Sequence, residues 1–355
     1  MRKALLLLVA LLLLLAPLCA AGVDTFCYDR LDNSGQLAYE AIYYCLSNLL
    51  ETWNCGSIPQ STIQKAYDCI LMDHPEIFWS DTYTYVTSYI NNEITGHRIE
   101  FSYSLDAPAI INANHLLEDA LLDIVREAGR MDVSYETVKA VFEYFVENCT
   151  YDEANMDQSM YSVMINRSGV CASFARSFEF VMQCLGIPCT VVRGRLLREA
   201  AFPGNTMGHE WNLIELDGNW YHVDITSAIS VSVETGVTDY RFLCATTDEI
   251  LQTHVIDNVV PVPRCTDGSL NFFTYYGLSV SEYSREALAS CMLRAMDMGL
   301  GPVARFSNYR ALTEAVEDLF TNKGIFQAIT DATGLSVTHV SYSLDEQTMV
   351  LRLVI

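Results

Sequence analysis

Basic residues are scarce in this chain. Against 44 Asp and Glu there are only 21 Lys and Arg, a formal charge of −23, and a surface of that sign repels phosphate backbones and anionic lipid. Nucleic acid is excluded as an expected partner, and the acidity reads as solubility outside the cell. Long apolar runs are also missing. After residue 16 no stretch approaches the roughly 20 residues that span a bilayer, so the mature chain is expected to have no membrane span. No internal repeat or low-complexity linker divides it. No dense Asp/Asn/Glu loop has calcium-ligand spacing, so no metal or other cofactor is expected.

What is present begins with Met1-Arg2-Lys3, an apolar run from Ala4 to Ala16, Pro17, and the small residues Cys19-Ala20-Ala21-Gly22. That order is a secretory signal peptide, expected over 1–21, and it implies a secreted protein. Loss of Arg2 and Lys3 takes the charge from −23 to −25. Of twelve cysteines, Cys19 leaves with the leader and eleven remain, an odd number in an oxidising compartment. One thiol is expected to stay free. The other ten allow up to about five disulfides of undetermined connectivity, with a staple among Cys45, Cys55 and Cys69 as one expectation. Hydrophobic residues make up 51% of the chain, enough for a sizeable core.

Helical spacing appears around Leu37 to Leu49 and Ile63 to Ile70, and alternation at 82–90 and 97–104. Helical patterns return from 111 to 148, with Leu117, Leu121 and Ile124 on one face and Val138, Val141, Phe142 and Phe145 on another. The tail predicts a helix near Glu282–Met298, a strand at Val303–Phe306, a helix over Tyr309–Phe320, and a hairpin of Ser336–Ser343 with Thr348–Ile355. His74, beside Pro75, reads as a turn residue.

Three residues stand in surroundings suited to thiol acyl transfer: Cys171, His209 and Asp224. After Cys171, apolar residues fall at Phe174, Phe178, Val181, Met182 and Leu185, one face of a helix that Gly186 and Pro188 end. Cys171 is thus expected at a helix N-terminus, where unpaired amides and the peptide dipoles favour a thiolate. Strands are predicted at His209–Leu216 and Asn219–Thr226 around an Asp217-Gly218 turn. That turn pairs Trp211 with Asp224 and His209 with Thr226, so His209 and Asp224 become diagonal neighbours on one face. Cys171 would attack an amide carbonyl, His209 would deliver the proton to the leaving amine, and Asp224 would hold the imidazole. The oxyanion needs donors. The Cys171 amide is one, and Gln158 is the candidate for the second, with Tyr161 its competitor. Trp211 shares the face of His209 and is a candidate for the substrate-cleft wall. A zinc site built on Cys184, Cys189, His209 or His222 is a weaker reading, because the Cys184-x4-Cys189 pair lacks a second pair.

Several motifs in one order resemble the transglutaminase-like superfamily of papain-like folds, in its secreted bacterial branch. They are Asn148-Cys149-Thr150-Tyr151-Asp152, Gln158 to Tyr161, Gly169-Val170-Cys171, Leu185-Gly186-Ile187-Pro188, Val192-Arg193-Gly194, His209-Glu210-Trp211-Asn212 and Asp217 to Thr226. The resemblance implies an α+β fold: a papain-like transglutaminase core with the nucleophile at a helix N-terminus, packed on an antiparallel sheet. The expected organisation is a mixed N-terminal domain over 22–110, the transglutaminase-like domain over 111–262 and a small α+β module over 263–355. It also implies a Cys-His-Asp triad acting on a protein or peptide substrate, cell-wall peptide included. Water as acceptor makes a peptidase or amidase, and an amine makes a crosslinking transglutaminase. Two departures stand out: Ser173-Phe174 where relatives carry Gly-Tyr, and Glu210 where a small residue is usual. They leave open a catalytically silent binding or structural module at the cell surface.

Overall fold

The computed structural model describes residues 25–129, 132–155, 157–197, 206–334 and 336–354. The expected signal peptide and the loop around Pro203-Gly204-Asn205 lie outside the described residues. The chain forms two compact units, the first running to Trp220 with Asp224–Thr226 and Val255–Pro263, the second taking the remainder.

In the first unit, helix α1 (Asn33–Ser47) starts where the Asp32 carboxylate accepts the Gly35 amide at 2.7 Å, satisfying a donor that the first turn leaves open. Strand β1 (Thr52–Asn54) leads to α2 (Gln60–Asp73). Strands β2 (Ser80–Ile90) and β3 (Glu93–Tyr103) form a long hairpin, turned by Asn91 and Asn92 at φ 51° and 67°. Asparagine tolerates this left-handed region better than most residues, and two such residues in succession suit a two-residue hairpin turn. The order in this sheet is β1-β3-β2. Asp73, fully buried at the end of α2, accepts the Cys27 and Tyr28 amides at 2.8 and 2.9 Å and the Tyr39 hydroxyl at 3.0 Å. One carboxylate thereby ties residues 27–28 to two helices.

Helix α3 (Ala107–Ala128) is capped by Asp106 and stopped by Gly129 at φ 66°, and α4 (Tyr135–Asn148) is capped by Ser134. Leu117, Leu121, Ile124, Val138, Val141, Phe142 and Phe145 are all buried, as their spacing predicts. The short parallel strands β4 (Thr150–Tyr151) and β5 (Ser168–Gly169) flank α5 (Met160–Asn166) and bring the chain to α6 (Cys171–Cys184). Beyond it, β6 (Cys189–Leu197) pairs antiparallel with β7 (Thr206–Leu216), and β8 (Asn219–Val223) follows a turn in which Asp217 and Gly218 have φ 52° and 78°.

Helix α6 is buried nearly all round, not along one stripe. Phe174, Phe178, Val181 and Met182 are buried as expected, but so are Ala172, Ser173, Ala175, Ser177 and Phe180. The small residues let neighbouring backbone approach: the Ser177 hydroxyl donates to Met160 O at 3.1 Å, and Asn212 Nδ2 on β7 donates to Ala175 O at 2.9 Å. A helix held between other helices and a sheet has no solvent face to spare.

The expected second strand of the hairpin is cut short. It ends at Val223, and α7 (Ile225–Thr235) begins two residues later, so Asp224 and Thr226 are not ladder partners of Trp211 and His209.

In the second unit, α8 (Thr247–Ile250) has a Thr246–Glu249 capping box. Strand β9 (His254–Ile256), whose Val255 and Ile256 belong to the first unit, is at one edge of the sheet ordered β8-β7-β6-β9. Helix α9 (Phe272–Tyr275) and strand β10 (Ser279–Val280) precede α10 (Arg285–Asp297), β11 (Val303–Phe306) and α11 (Tyr309–Val316), which runs on into a π turn over Glu317–Thr321. Helix α12 (Ile325–Thr333), absent from the sequence reading, precedes the hairpin of β12 (Ser341–Asp345) and β13 (Val350–Val354). The sheet order β10-β11-β13-β12 mixes one parallel pair with two antiparallel pairs. Leu288, Phe306, Leu312, Leu319, Ile329 and Leu351 share its core. Among the described residues, no helix is long and apolar enough to cross a membrane. Cys45, Cys55 and Cys69 are thiols, so the expected staple among them is not formed.

Phe178 is fully buried on α6 and stands edge-on to Phe145 of α4 at 6.4 Å. Phe178→Ala is expected to cost about 3–5 kcal/mol. Urea unfolding should show a lowered midpoint with little change in slope.

Candidate active site

Cys171 is the first residue of α6, preceded by Val170 in extended conformation. The turn is closed by Ser173, whose hydroxyl accepts the Val170 amide at 2.9 Å and lies 2.8 Å from Val170 O, to which it donates. Gly169 is required by this closure, since a Cβ there would overlap the Ser173 hydroxyl and meet Val163 Cγ2 at 2.8 Å. Serine at 173 thus has a local job that ends in the placing of Cys171. The sulfur is half-buried and lines a cleft of about 520 Å³ with His209, Gln158 and Tyr151.

His209 and Asp224 are 5% and 1% exposed, and Nε2 lies 2.9 Å from Asp224 Oδ2. Thr226 Oγ1 donates to the other carboxylate oxygen at 3.0 Å. Thr226 has no role in the sequence reading, because its contact depends on the strand giving way to helix at this point. Burial pulls the His209 pKa down, but the Asp224 charge and hydrogen bond, then interaction with the Cys171 sulfur, outweigh it and push it up to about 10. Cys171 and His209 thus line one cleft, and Asp224 is bonded to the imidazole.

Gln158 is exposed on the cleft wall. Its loop is pinned to β5 by Asn155, whose Nδ2 donates to Ser168 O at 3.1 Å and to the Ser162 hydroxyl at 2.7 Å. Tyr161 lines a neighbouring cavity and stacks on Phe78 at 5.7 Å. Trp211 does not line the cleft. It is 1% exposed and packs near-parallel to the His209 ring at 5.9 Å, an apolar backing for the imidazole. Gly194, opposite His209 in the β6–β7 register, makes room for it: a Cβ would meet Trp211 Cη2 at 2.7 Å and overlap the Val255 carbonyl. His222 is fully buried, 3.2 Å from the Thr247 hydroxyl, and burial pulls its pKa down to about 3. It serves the core of the second unit.

Residues 123–225 match the family model of the transglutaminase-like superfamily. This segment is a transglutaminase-like core. Among solved structures, a transglutaminase is 17% identical over 41% of this chain and 44% of its own, with a TM-score of 0.28. A candidate cysteine protease from Cytophaga hutchinsonii is 17% identical over 41% and 61% (TM-score 0.27). The periplasmic domain of TgpA from Pseudomonas aeruginosa, bound to ethylmercury, is 21% identical over 40% and 59% (TM-score 0.27). The match thus spans between 44% and 61% of those chains. Comparison with curated proteins finds no match.

Around the transglutaminase-like core, the charge that Glu210 adds beside His209 is balanced. Its Oε1 is 3.0 Å from Arg193 Nε across the β6–β7 ladder, and its Oε2 is 3.7 Å from Arg176 Nη2 on α6. Arg193 Nη1 in turn reaches Asp68 Oδ1 on α2 at 2.8 Å, and Arg176 Nη1 donates to Gln158 O at 2.8 Å. These groups are mostly buried, so each charge depends on its partner. Arg193 belongs to a motif visible in the sequence. Arg176 and Asp68 give no local signal.

Two outcomes follow for the core. Gly194→Ala should displace Trp211 and cost about 1–3 kcal/mol, read as a lowered melting temperature, with His209 losing its backing. For His209, the folded pKa of about 10 lies above the ordinary value of about 6.5. Its contribution to stability is therefore full below pH about 6.5 and is lost as pH rises through about 10, with a slope of at most about 1.4 kcal/mol per pH unit. Urea midpoints between pH 6 and 10 should fall in the wild type, and Asp224→Asn should flatten that fall.

Proposed function

We propose that this chain is a cysteine-dependent acyl-transfer enzyme that acts on amide bonds through a thioester, and that it is exported. The observation that carries the reading is one buried imidazole bonded to Asp224 and lining the same cleft as Cys171. The Cys171 thiolate attacks the carbonyl carbon, and the negative charge moves to the carbonyl oxygen. The backbone amide of Cys171 at the start of α6 and the carboxamide of Gln158 are the proposed donors to that oxygen. As the C–N bond breaks, protonated His209 gives its proton to the leaving amine, leaving an acyl thioester on Cys171. Neutral His209 then takes a proton from water, which adds to the thioester and releases a carboxylic acid and the Cys171 sulfur. An amine in place of water gives a new amide, which is transglutamination. Hydrolysis is the default, since amine transfer needs an acceptor site that excludes water. Asp224, held by Thr226, keeps the imidazole in one tautomer and stabilises its charged form.

The two departures from the family pattern, Ser173 and Glu210, favour a silent binding module less once their surroundings are considered. Ser173 caps the helix that bears the nucleophile, and Glu210 is paired by two arginines.

Alkylation of each cysteine by iodoacetamide, followed by peptide mass spectrometry from pH 5 to 9, tests this reading on residues 22–355. Cys171 should label fastest below pH 7, and His209→Ala should slow it by about 10²-fold. Labelling of Cys171 that is slow and indifferent to His209 would leave the binding module as the better account.

A further inference from the structure

Two buried thiols of the first unit meet away from the cleft. Cys27 precedes the short turn of Tyr28–Arg30, and Cys69 is near the end of α2. Both are thiols in this structure, and both are fully buried. Cys69, Met72 and Asp73 are spaced i, i+3 and i+4, so they project from one face of α2. Helical side chains lean toward the helix N-terminus, so the ends of Met72 and Asp73 lie over the turn that holds Cys69. Those ends are what Cys27 touches. Asp73 accepts the Cys27 and Tyr28 amides at 2.8 and 2.9 Å, and the Cys27 sulfur is 3.9 Å from the Met72 sulfur. Interaction with the Cys69 thiol, then burial and the Asp73 charge, push the Cys27 pKa up. At Cys45, by contrast, burial is what raises it.

We infer that Cys27 and Cys69 are a crosslinking pair, joined by a disulfide when the chain folds in the presence of an external disulfide. The choice of partners rests on the geometry, and the oxidising surroundings rest on the export reading given above. One Sγ–Sγ bond forms and two S–H bonds break. The two electrons and two protons pass to the external disulfide, which is reduced to two thiols. A disulfide brings the sulfurs to about 2 Å, and Met72, unbranched and adaptable, can follow that shift. The attacking form is a thiolate, which the folded surroundings of Cys27 disfavour, so the bond forms while the chain folds and not afterwards. It encloses α1 and β1, and so removes freedom from a long stretch of the unfolded chain. It also fixes α2, whose Asp68 holds Arg193 in the cleft wall at 2.8 Å. The staple expected among Cys45, Cys55 and Cys69 drew on closeness in sequence, whereas the partner that meets α2 comes from the segment before α1.

Two preparations test the pairing and the export separately. In the first, the reduced and unfolded mature chain is refolded in a buffer of glutathione and its disulfide. Free thiols are blocked with N-ethylmaleimide in acid, and a non-reduced digest is read by mass spectrometry. The Cys27 and Cys69 peptides should appear joined, lighter than their sum by two hydrogens, and Cys27→Ser should leave Cys69 blocked as a free thiol. Melting adds a readout that lost packing alone would not move: Cys27→Ser should lose about 5 °C more, relative to wild type, in the oxidised state than in the reduced state. Recovery of both cysteines as blocked thiols, or of either joined to a different cysteine, would overturn the pair whatever compartment the chain occupies. In the second preparation the chain is made with its leader in a bacterium, and the periplasmic fraction is digested in the same way. The joined peptide there upholds the pair together with export, and a periplasmic chain with both thiols free would overturn the pair. A chain that stays in the cytoplasm reduced, yet forms the bond on refolding, would uphold the pair and remove the export reading.

Discussion

A buried imidazole held 2.9 Å from a buried carboxylate is the interaction on which the site depends. Neither charge is tolerable alone at that depth, because an unpaired buried charge costs several kcal/mol. The surroundings supply what the pair needs. Trp211 backs the ring, Gly194 makes room for Trp211, and Thr226 satisfies the second carboxylate oxygen. The chain leaves the ladder at Val223, and there the Thr226 hydroxyl donates to the carboxylate two residues before it.

The second requirement is that a helix N-terminus meet that imidazole. Helix α6 is buried on nearly every side, and small residues at Ala172, Ser173, Ala175 and Ser177 give it close contact with α5 and the sheet. Its first turn is set by Gly169 and Ser173. Charged groups then link α6, the sheet and α2 through Asp68, Arg193, Glu210 and Arg176. Glu210, which in isolation puts a negative charge beside His209, becomes one member of this chain of pairs. The segment before α3, which holds no candidate catalytic side chain, contributes through Asp68.

Much of this was legible before any coordinates. Repeating apolar spacing located α1, α2, α4 and α6, because burial on one side imposes the helical period directly on the sequence. The Asp217-Gly218 turn was legible because only a few residue types accept its positive φ. The short helix α7 was not, since a change from strand to helix at Asp224 leaves no break in apolar content. The full burial of α6 was also hidden, because serine and alanine read as solvent-facing until something packs against them.

The sequence by itself determined the residue types, their order and most of the local geometry: a cysteine opening a helix, a histidine on a strand, an aspartate at the far end of the strand after the turn, and a family pattern joining them. These are short-range properties, set by backbone preference and periodicity. Only the tertiary structure decided which partners meet across long separations. The pairing of Glu210 with Arg176 and Arg193 and the retreat of Trp211 from cleft wall to buried support both come from packing between elements far apart in the chain. Such contacts leave no periodic trace in a single sequence.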